Sequence, residues 1–295
     1  MPIDAEILRA KLPDRGVELA IYDWGGTGPP LLLAHANGFC APLWDPVARR
    51  LRDHYRVLGY DHRGQGDSSV PSGTTDRAYH WDQFTGDYVA VCEWAAKELQ
   101  LTDPIYGVGH SFGGTSVLNA VEQRPELFAC ACGLDPVLLP PEPEPGRVRR
   151  GVELAAKTRE RRSVWPSRAE VAKAWEGKAL FAPWQPESLA LYIEHGFRDR
   201  ADGQVELKCA PAIEAEVFED RWTGNIFDVV AAIRRPSLIV RATRGHMPQE
   251  FVEAIVKGAP CVELIHAPYD HLMVMEAPEE TANILLEFGR GKGSH

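Results

Sequence analysis

The sequence predicts an α/β fold: a mainly parallel central sheet flanked by helices and interrupted by an inserted helical cap. Three observations predict it. Short apolar β-type runs alternate with longer helical patterns at both ends of the chain. A glycine-rich segment, Gly107 to Gly114, joins one such run to the helix after it. A proline-rich break near residue 140 suspends the alternation, which resumes near residue 237.

The elements follow in order. Val17 to Asp23 alternates like an edge strand, and Gly25, Gly26, Gly28, Pro29 and Pro30 make a turn. Leu31 to Ala34 is a short buried strand ending at His35. Leu43 to Arg52 reads as a helix, Arg56 to Tyr60 as a strand, and Asp61 to Ser69 as a glycine-rich loop. Between Tyr79 and Gln100, Phe84, Tyr88, Val91, Ala95 and Leu99 recur at helical spacing. Ile105 to Val108 is a strand, Phe112 to Arg124 a helix and Phe128 to Leu134 a strand. Pro140, Pro141, Pro143 and Pro145 then favour a stiff, extended linker. From there to about Asn225 only helical segments and loops are expected. The rhythm returns with the strand Ser237 to Val240, a helix near Gln249 to Lys257, the strand Cys261 to Ile265 and the helix Glu279 to Phe288. The expected division is a core of residues 1–136 and 231–295 with a cap at 137–230. An insertion so long exceeds a plain connection and reads as a lid.

Bulk composition narrows the function classes. The 295 residues suffice for one α/β core with a large insertion. A net charge of -10 disfavours nucleic acid as a partner. The six cysteines form no CxxC pair and are expected as reduced thiols in a cytoplasmic protein. Met1 to Asp23 has no apolar signal-type core, and no apolar run approaches the ~18 residues of a membrane span. No HExxH-like metal spacing occurs. The expectation is a cofactor-free protein acting on a small molecule, as monomer or homodimer, with no nucleic-acid or membrane partner.

Chemistry concentrates in three places. Gly109-His110-Ser111-Phe112-Gly113 lies between a predicted strand and a predicted helix, the context of a nucleophile elbow. The tight turn lifts the serine hydroxyl clear of the sheet, and the following helix offers N–H groups to a developing oxyanion. Gly107, Gly109 and Gly113 also fit a loose dinucleotide pattern, but three strands precede it and no convincing strand-end acid follows about 20 residues on. His35-Ala36-Asn37-Gly38 follows a strand, so the Asn37 N–H is a candidate second oxyanion donor beside that of Phe112. His271 stands between the last strand and the last helix, where a histidine base belongs in the order nucleophile, acid, histidine. His246 and His266 are its rivals.

These motifs, with Asp61-His62-Arg63-Gly64-Gln65-Gly66-Asp67-Ser68 and Glu276-Ala277-Pro278-Glu279, make the chain resemble the α/β-hydrolase superfamily, in its capped serine-nucleophile form. The resemblance implies a serine esterase with a catalytic triad of Ser111, His271 and an acid. An acyl-enzyme would form and be released by water. Carboxylic esters are the default substrates; lactones, thioesters, amides and carbon–carbon bonds stay open, as does a receptor role without turnover. Ser111 in place of an aspartate argues against dehalogenation and epoxide opening. The resemblance also gives Asp61 to Ser69 a structural role.

The family's usual acid lies in the turn after the strand Ser237 to Val240, but Arg241 to Pro248 contains neither Asp nor Glu. Asp135, at the end of the preceding strand, is the candidate, since some relatives place their acid there. A turn-forming Asp135-Pro136 is the plainer reading. Asp270 adjoins His271 and points apart from it; Glu250, Glu253 and Glu263 are further alternatives.

Trp165, Trp175, Trp184 and Trp222 fall in the insertion with Phe181, Tyr192, Phe197 and Phe218. They suit either a cap core or an apolar substrate pocket. His35, Trp165 and Trp184 are the pocket candidates. Arg147, Arg149, Arg150, Lys157, Arg159, Arg161 and Arg162 read as a solvated helix face.

Overall fold

The computed structural model describes residues 1–72, 77–139, 145–219, 225–290 and 292, with the side chains of 145–150 excepted. Pro140, Pro141, Pro143 and Trp222, and the side chains of Arg147, Arg149 and Arg150, lie outside the described residues.

The chain opens with β1 (Glu6–Leu12) and β2 (Val17–Gly25), continues through β3 (Pro30–Ala34), α1 (Asp45–Leu51), β4 (Arg56–Tyr60) and α2 (Trp81–Glu98), and then makes β5 (Ile105–His110), α3 (Phe112–Gln123) and β6 (Phe128–Leu134). After the insertion come α8 (Ile226–Ala232), β10 (Ser237–Ala242), α9 (Gln249–Val256), β11 (Val262–Ala267), α10 (Met273–Glu276) and α11 (Pro278–Gly289). Eight strands form one sheet in the order β1-β2-β4-β3-β5-β6-β10-β11. The pairs β1/β2 and β2/β4 are antiparallel, and the pairs from β4 to β11 are parallel. The fold is therefore the expected α/β sheet, with one correction. Val17 to Asp23 is not the edge. β1 lies outside it, and its mostly exposed, charge-bearing sequence EILRAKL masks the strand.

The period-2 geometry of the strands sorts side chains into two cores. Leu31 and Leu33 pack on one face with Cys130 and Cys132; Leu32, Ala34 and Ala131 pack on the other. Strands buried on both faces read as continuous apolar runs, as β3 does.

The insertion holds α4 (Pro145–Arg159), β7 (Val164–Trp165), α5 (Arg168–Trp175), α6 (Pro186–His195), β8 (Phe197–Asp199), β9 (Val205–Leu207) and α7 (Pro211–Glu219). The expectation of helices and loops alone is corrected here: β7, β9 and β8 make a small antiparallel sheet. Strands of two or three residues are too short to show a period. Ser167 caps α5, its hydroxyl accepting the Glu170 N–H at 3.2 Å. Helix α8 buries Ile226 and Val230 in the core cluster of α3 and α9, so the expected cap end at 230 falls inside a core helix. Trp175, Phe181, Trp184 and Tyr192 stack on one another with ring centroids 4.6 to 6.5 Å apart. Phe39 of the core joins them, 5.7 Å from Trp184 and 5.1 Å from Tyr192. Among the described residues, no helix is long and apolar enough to cross a membrane.

Candidate active site

Ser111 stands between β5 and α3 with φ 56° and ψ −121°. A non-glycine residue in that conformation stores on the order of 1–3 kcal/mol of strain. The glycines around it permit the turn. A Cβ on Gly109 would lie 2.3 Å from Gly113 O, and one on Gly113 would lie 2.5 Å from His35 O. The Ser111 side chain makes no cap bond to α3. Its Oγ instead lies 2.8 Å from His271 Nε2.

His271 Nδ1 lies 2.6 Å from Asp135 Oδ2. A carboxylate can only accept, so Nδ1 carries the proton and Nε2 is left to take one from Ser111. The other Asp135 oxygen accepts the Ala242 N–H at 2.9 Å. Asp135 is 1% exposed and takes φ 40°, while the His271 side chain keeps 21% of its surface open. Among the described residues only Gln100 joins Ser111 and Asp135 as a non-glycine with positive φ. The strain thus sits on two of the three residues in the relay.

The turn after β10 leaves room for the carboxylate from β6. A Cβ on Gly245 would lie 2.4 Å from Asp135 Oδ2, so this turn receives the carboxylate and leaves it room. The alternative acids face elsewhere. Asp270 meets Arg244 at 3.1 Å and Glu263 meets Lys292 at 2.7 Å. Glu253 lies 3.6 Å from His266, one rival histidine. The ring of His246, the other, lies 5.2 Å from that of His271.

Loop 35–38 abuts the start of α3 through the Gly113 contact. His35 Nδ1–H donates to Ala36 O at 2.7 Å, and its Nε2 accepts the His62 N–H at 3.0 Å. In a trans peptide the N–H opposes the C=O, so binding Ala36 O turns the Asn37 N–H away from the His35 ring. Neither the Asn37 nor the Phe112 N–H is taken by an acceptor among the described residues. The Asn37 side chain is spent on structure: Nδ2 donates to Glu214 O at 2.9 Å and Oδ1 accepts from Gln65 Nε2 at 2.8 Å. Gln65 Oε1 also accepts the Gly38 N–H at 2.9 Å. Sequence reasoning missed Gln65 and Glu214. The loop Asp61-to-Ser69 motif could have flagged the first; Glu214, far along the chain, carries no such signal.

Burial sets the protonation of the supporting groups. It drives His35 well below the ordinary histidine range, with neighbouring His62 adding to the effect. His62 and His110 are pushed down to about 4, chiefly by burial. His110 Nε2–H donates to His271 O at 2.7 Å, which ties the His271 loop to the end of β5. Asp61 accepts the N–H groups of Ala41 and Asp67 at 2.6 and 2.7 Å, yet burial still lifts its carboxyl to about 6.

The pocket candidates make contacts of other kinds. His35 is 2% exposed, and its ring nitrogens are used within its own neighbourhood. Trp165 lies under the Arg162 guanidinium, 4.2 Å from its ring centre, on the cap's small sheet. Trp184 belongs to the insertion's aromatic stack. Phe112 instead meets Trp81 and Phe84, with Val217 of the cap and partly buried Val137, Leu139 and Ile213 in the same apolar cluster. The basic run is corrected at one position: Arg161 is not on a solvated face but pairs with Glu214 at 2.7 Å, its side chain 28% exposed. Among the described residues no three His, Cys, Asp or Glu side chains gather as a metal site.

Known proteins can now be set beside this geometry. The chain is 28% identical over 179 residues to the type I acyl-CoA thioesterase mpaH of Penicillium brevicompactum, covering 57% of this chain and 40% of that protein. It is 33% identical over 118 residues to the probable oxidoreductase EphD of Mycobacterium tuberculosis, covering 40% of this chain and 19% of that protein. The chain thus spans well under half the length of these curated relatives. Among solved structures, an E-2-(acetamidomethylene)succinate hydrolase matches with a TM-score of 0.79 at 18% identity, over 96% of this chain and 99% of that one. A thermophilic esterase from Thermogutta terrifontis matches at 0.72 and 22% identity, over 98% and 100%. At such identities these likenesses speak for the fold. A sequence profile described as the alpha/beta hydrolase family matches residues 31–284, from the first buried strand of the parallel sheet into the last helix, and on that span the chain belongs to the alpha/beta hydrolase family.

Proposed function

We propose that this hydrolase-family chain is a serine hydrolase that cleaves a carboxylic ester or related acyl substrate of small to medium, partly apolar character. The observation that carries the reading is the relay of Ser111 Oγ to His271 Nε2 at 2.8 Å and His271 Nδ1 to Asp135 at 2.6 Å. Ser111 attacks the carbonyl carbon as its proton passes to His271, and the carbonyl π electrons move to oxygen. The N–H groups of Phe112 and Asn37 receive the oxyanion, each worth roughly 3 kcal/mol. The tetrahedral species collapses, His271 protonates the leaving group, and the acyl-enzyme remains. Water activated by His271 then releases the acid and restores Ser111. Asp135 holds the tautomer and balances the imidazolium. The thioesterase named among the relatives makes a thioester the favoured second reading, on the same residues.

The test is hydrolysis of p-nitrophenyl acetate and butyrate, and of an acyl-CoA. Wild type should turn over at least one. Ser111→Ala and His271→Ala should each lower kcat by a factor on the order of 10⁶. Wild-type inactivity on all three, with ligand binding intact, would point to a receptor instead.

A further inference from the structure

We propose that Arg161, in the cap, is a positioning residue for the oxyanion loop, acting through Tyr192 and Glu214 on the Asn37–Gly38 segment. The inference rests on the reading above that the Asn37 N–H receives the oxyanion.

The chain of contacts has a forced direction. Arg161 Nη2 donates to the Tyr192 hydroxyl at 2.8 Å, and that hydroxyl lies 3.2 Å from Gly38 O. A guanidinium only donates and a carbonyl only accepts, so the one phenolic proton goes to Gly38 O. The second arm of Arg161 reaches Glu214 Oε2 at 2.7 Å. Glu214 presses on the same loop twice. Its backbone carbonyl takes the Asn37 side-chain amide at 2.9 Å. Its carboxylate fills the space where a Gly38 Cβ would stand, 2.5 Å from Oε1, and Gly38 sits at φ 83°.

The loop is therefore gripped from two sides. From the core, Gln65 holds Asn37 Oδ1 and the Gly38 N–H, and His35 holds Ala36 O. From the cap, Tyr192 and Glu214 hold Gly38 O and the Asn37 amide. The core grip is neutral. The cap grip is backed by an ion pair, and Arg161 joins both its arms, which come from separate helices, α6 and α7. A donor aimed at a developing charge loses its value with small displacement, so a loose cap grip weakens catalysis without touching substrate.

The experiment compares Arg161→Met, Arg161→Met/Glu214→Gln and Tyr192→Phe with wild type. The double variant leaves no buried unpaired carboxylate, so it answers the question even if Arg161→Met fails to fold. Each folded variant is assayed for kcat and KM on neutral p-nitrophenyl butyrate and for Ki of phenylboronic acid, whose tetrahedral serine adduct places an oxygen in the oxyanion position. The expected result is kcat lowered by about 10- to 100-fold, KM within about twofold and boronate Ki raised in parallel with the kcat loss. Unchanged kcat and Ki in folded variants, with only the melting temperature lowered, overturns the proposal and leaves Arg161 a purely structural residue. A raised KM for anionic esters alone also overturns it, because Arg161 would then bind substrate. Failure of the underlying reading is distinct: Ser111→Ala would retain activity, or phenylboronic acid would not inhibit the wild type.

Discussion

The ends of β6 and β10 are neighbouring strand ends on one rim of the sheet, and on the proposed reading they divide one task between them. The β6 end supplies a carboxylate, Asp135, strained at φ 40° and buried. The β10 end supplies no acid; it gives the Ala242 N–H and the open space at Gly245. The Asp135 N–H in turn donates to Val240 O at 2.6 Å, so the two ends are stitched in both directions. On the proposed reading, the difference teaches that an acid's place in the chain is negotiable while its place in space is not. What a strand end lacks as a donor of charge it can return as a receptor for it.

The sharpest way to break this comparison is Asp135→Asn. It keeps the shape and removes the charge that fixes the His271 tautomer, so kcat should fall by a factor on the order of 10⁴ at neutral pH. Near-wild-type turnover would make Asp135 a turn residue and return the search to the β10 side. Gly245→Ala probes the receiving end. Its Cβ would meet the carboxylate oxygen that binds His271, so the acid must shift. A kcat loss of about 10- to 100-fold is expected, with the melting temperature little changed. Equal losses in stability and activity would show that the turn is merely crowded.

The smallest effect on turnover at neutral pH comes from the buried histidines at the ends of β3, β4 and β5. His35, His62 and His110 are held below their ordinary range by burial, His62 and His110 at about 4. For such groups the unfolded chain binds protons first. Their stabilising contribution is full above pH ~6.5 and is lost as pH falls toward about 4. Asp61, raised to about 6, and Glu214, also raised, act in the opposite sense as the pH falls. Three histidines against two carboxyls should still give a melting temperature that drops between pH 7 and pH 5. His110→Gln can keep a donor for His271 O and removes one proton site, so it should flatten that drop by on the order of 2 kcal/mol. Thermal melts across this range decide it, and an unchanged slope counts against His110 as a contributor.

Much of this was legible in the sequence. Glycines at 109 and 113 announce a turn that only close backbone packing requires, and the structure finds that packing. The bare turn Arg241 to Pro248 directed attention to Asp135, the residue now found 2.6 Å from His271. What escaped did so for physical reasons. β1 carries too many charges to look like a strand, and β7 to β9 are too short to have a pattern. Aromatic residues in the insertion satisfy a cap core and a substrate pocket equally well as letters; only ring contacts separate the roles. Arg161 looked like one of many surface cations because nothing local marks a partner 53 residues away.

The chain leaves the sheet for its cap at Asp135-Pro136. On the proposed reading, the insertion and the triad acid are thus carried on one ribbon of backbone. A designer who wishes to transplant a foreign cap for new specificity would cut beside the acid itself, and any misfit at the seam would be felt first as a mistuned histidine. The same transplant in a homologue whose acid rides on the β10 side would leave that carboxylate on a separate segment. On the proposed reading, specificity and chemical competence travel together in this chain.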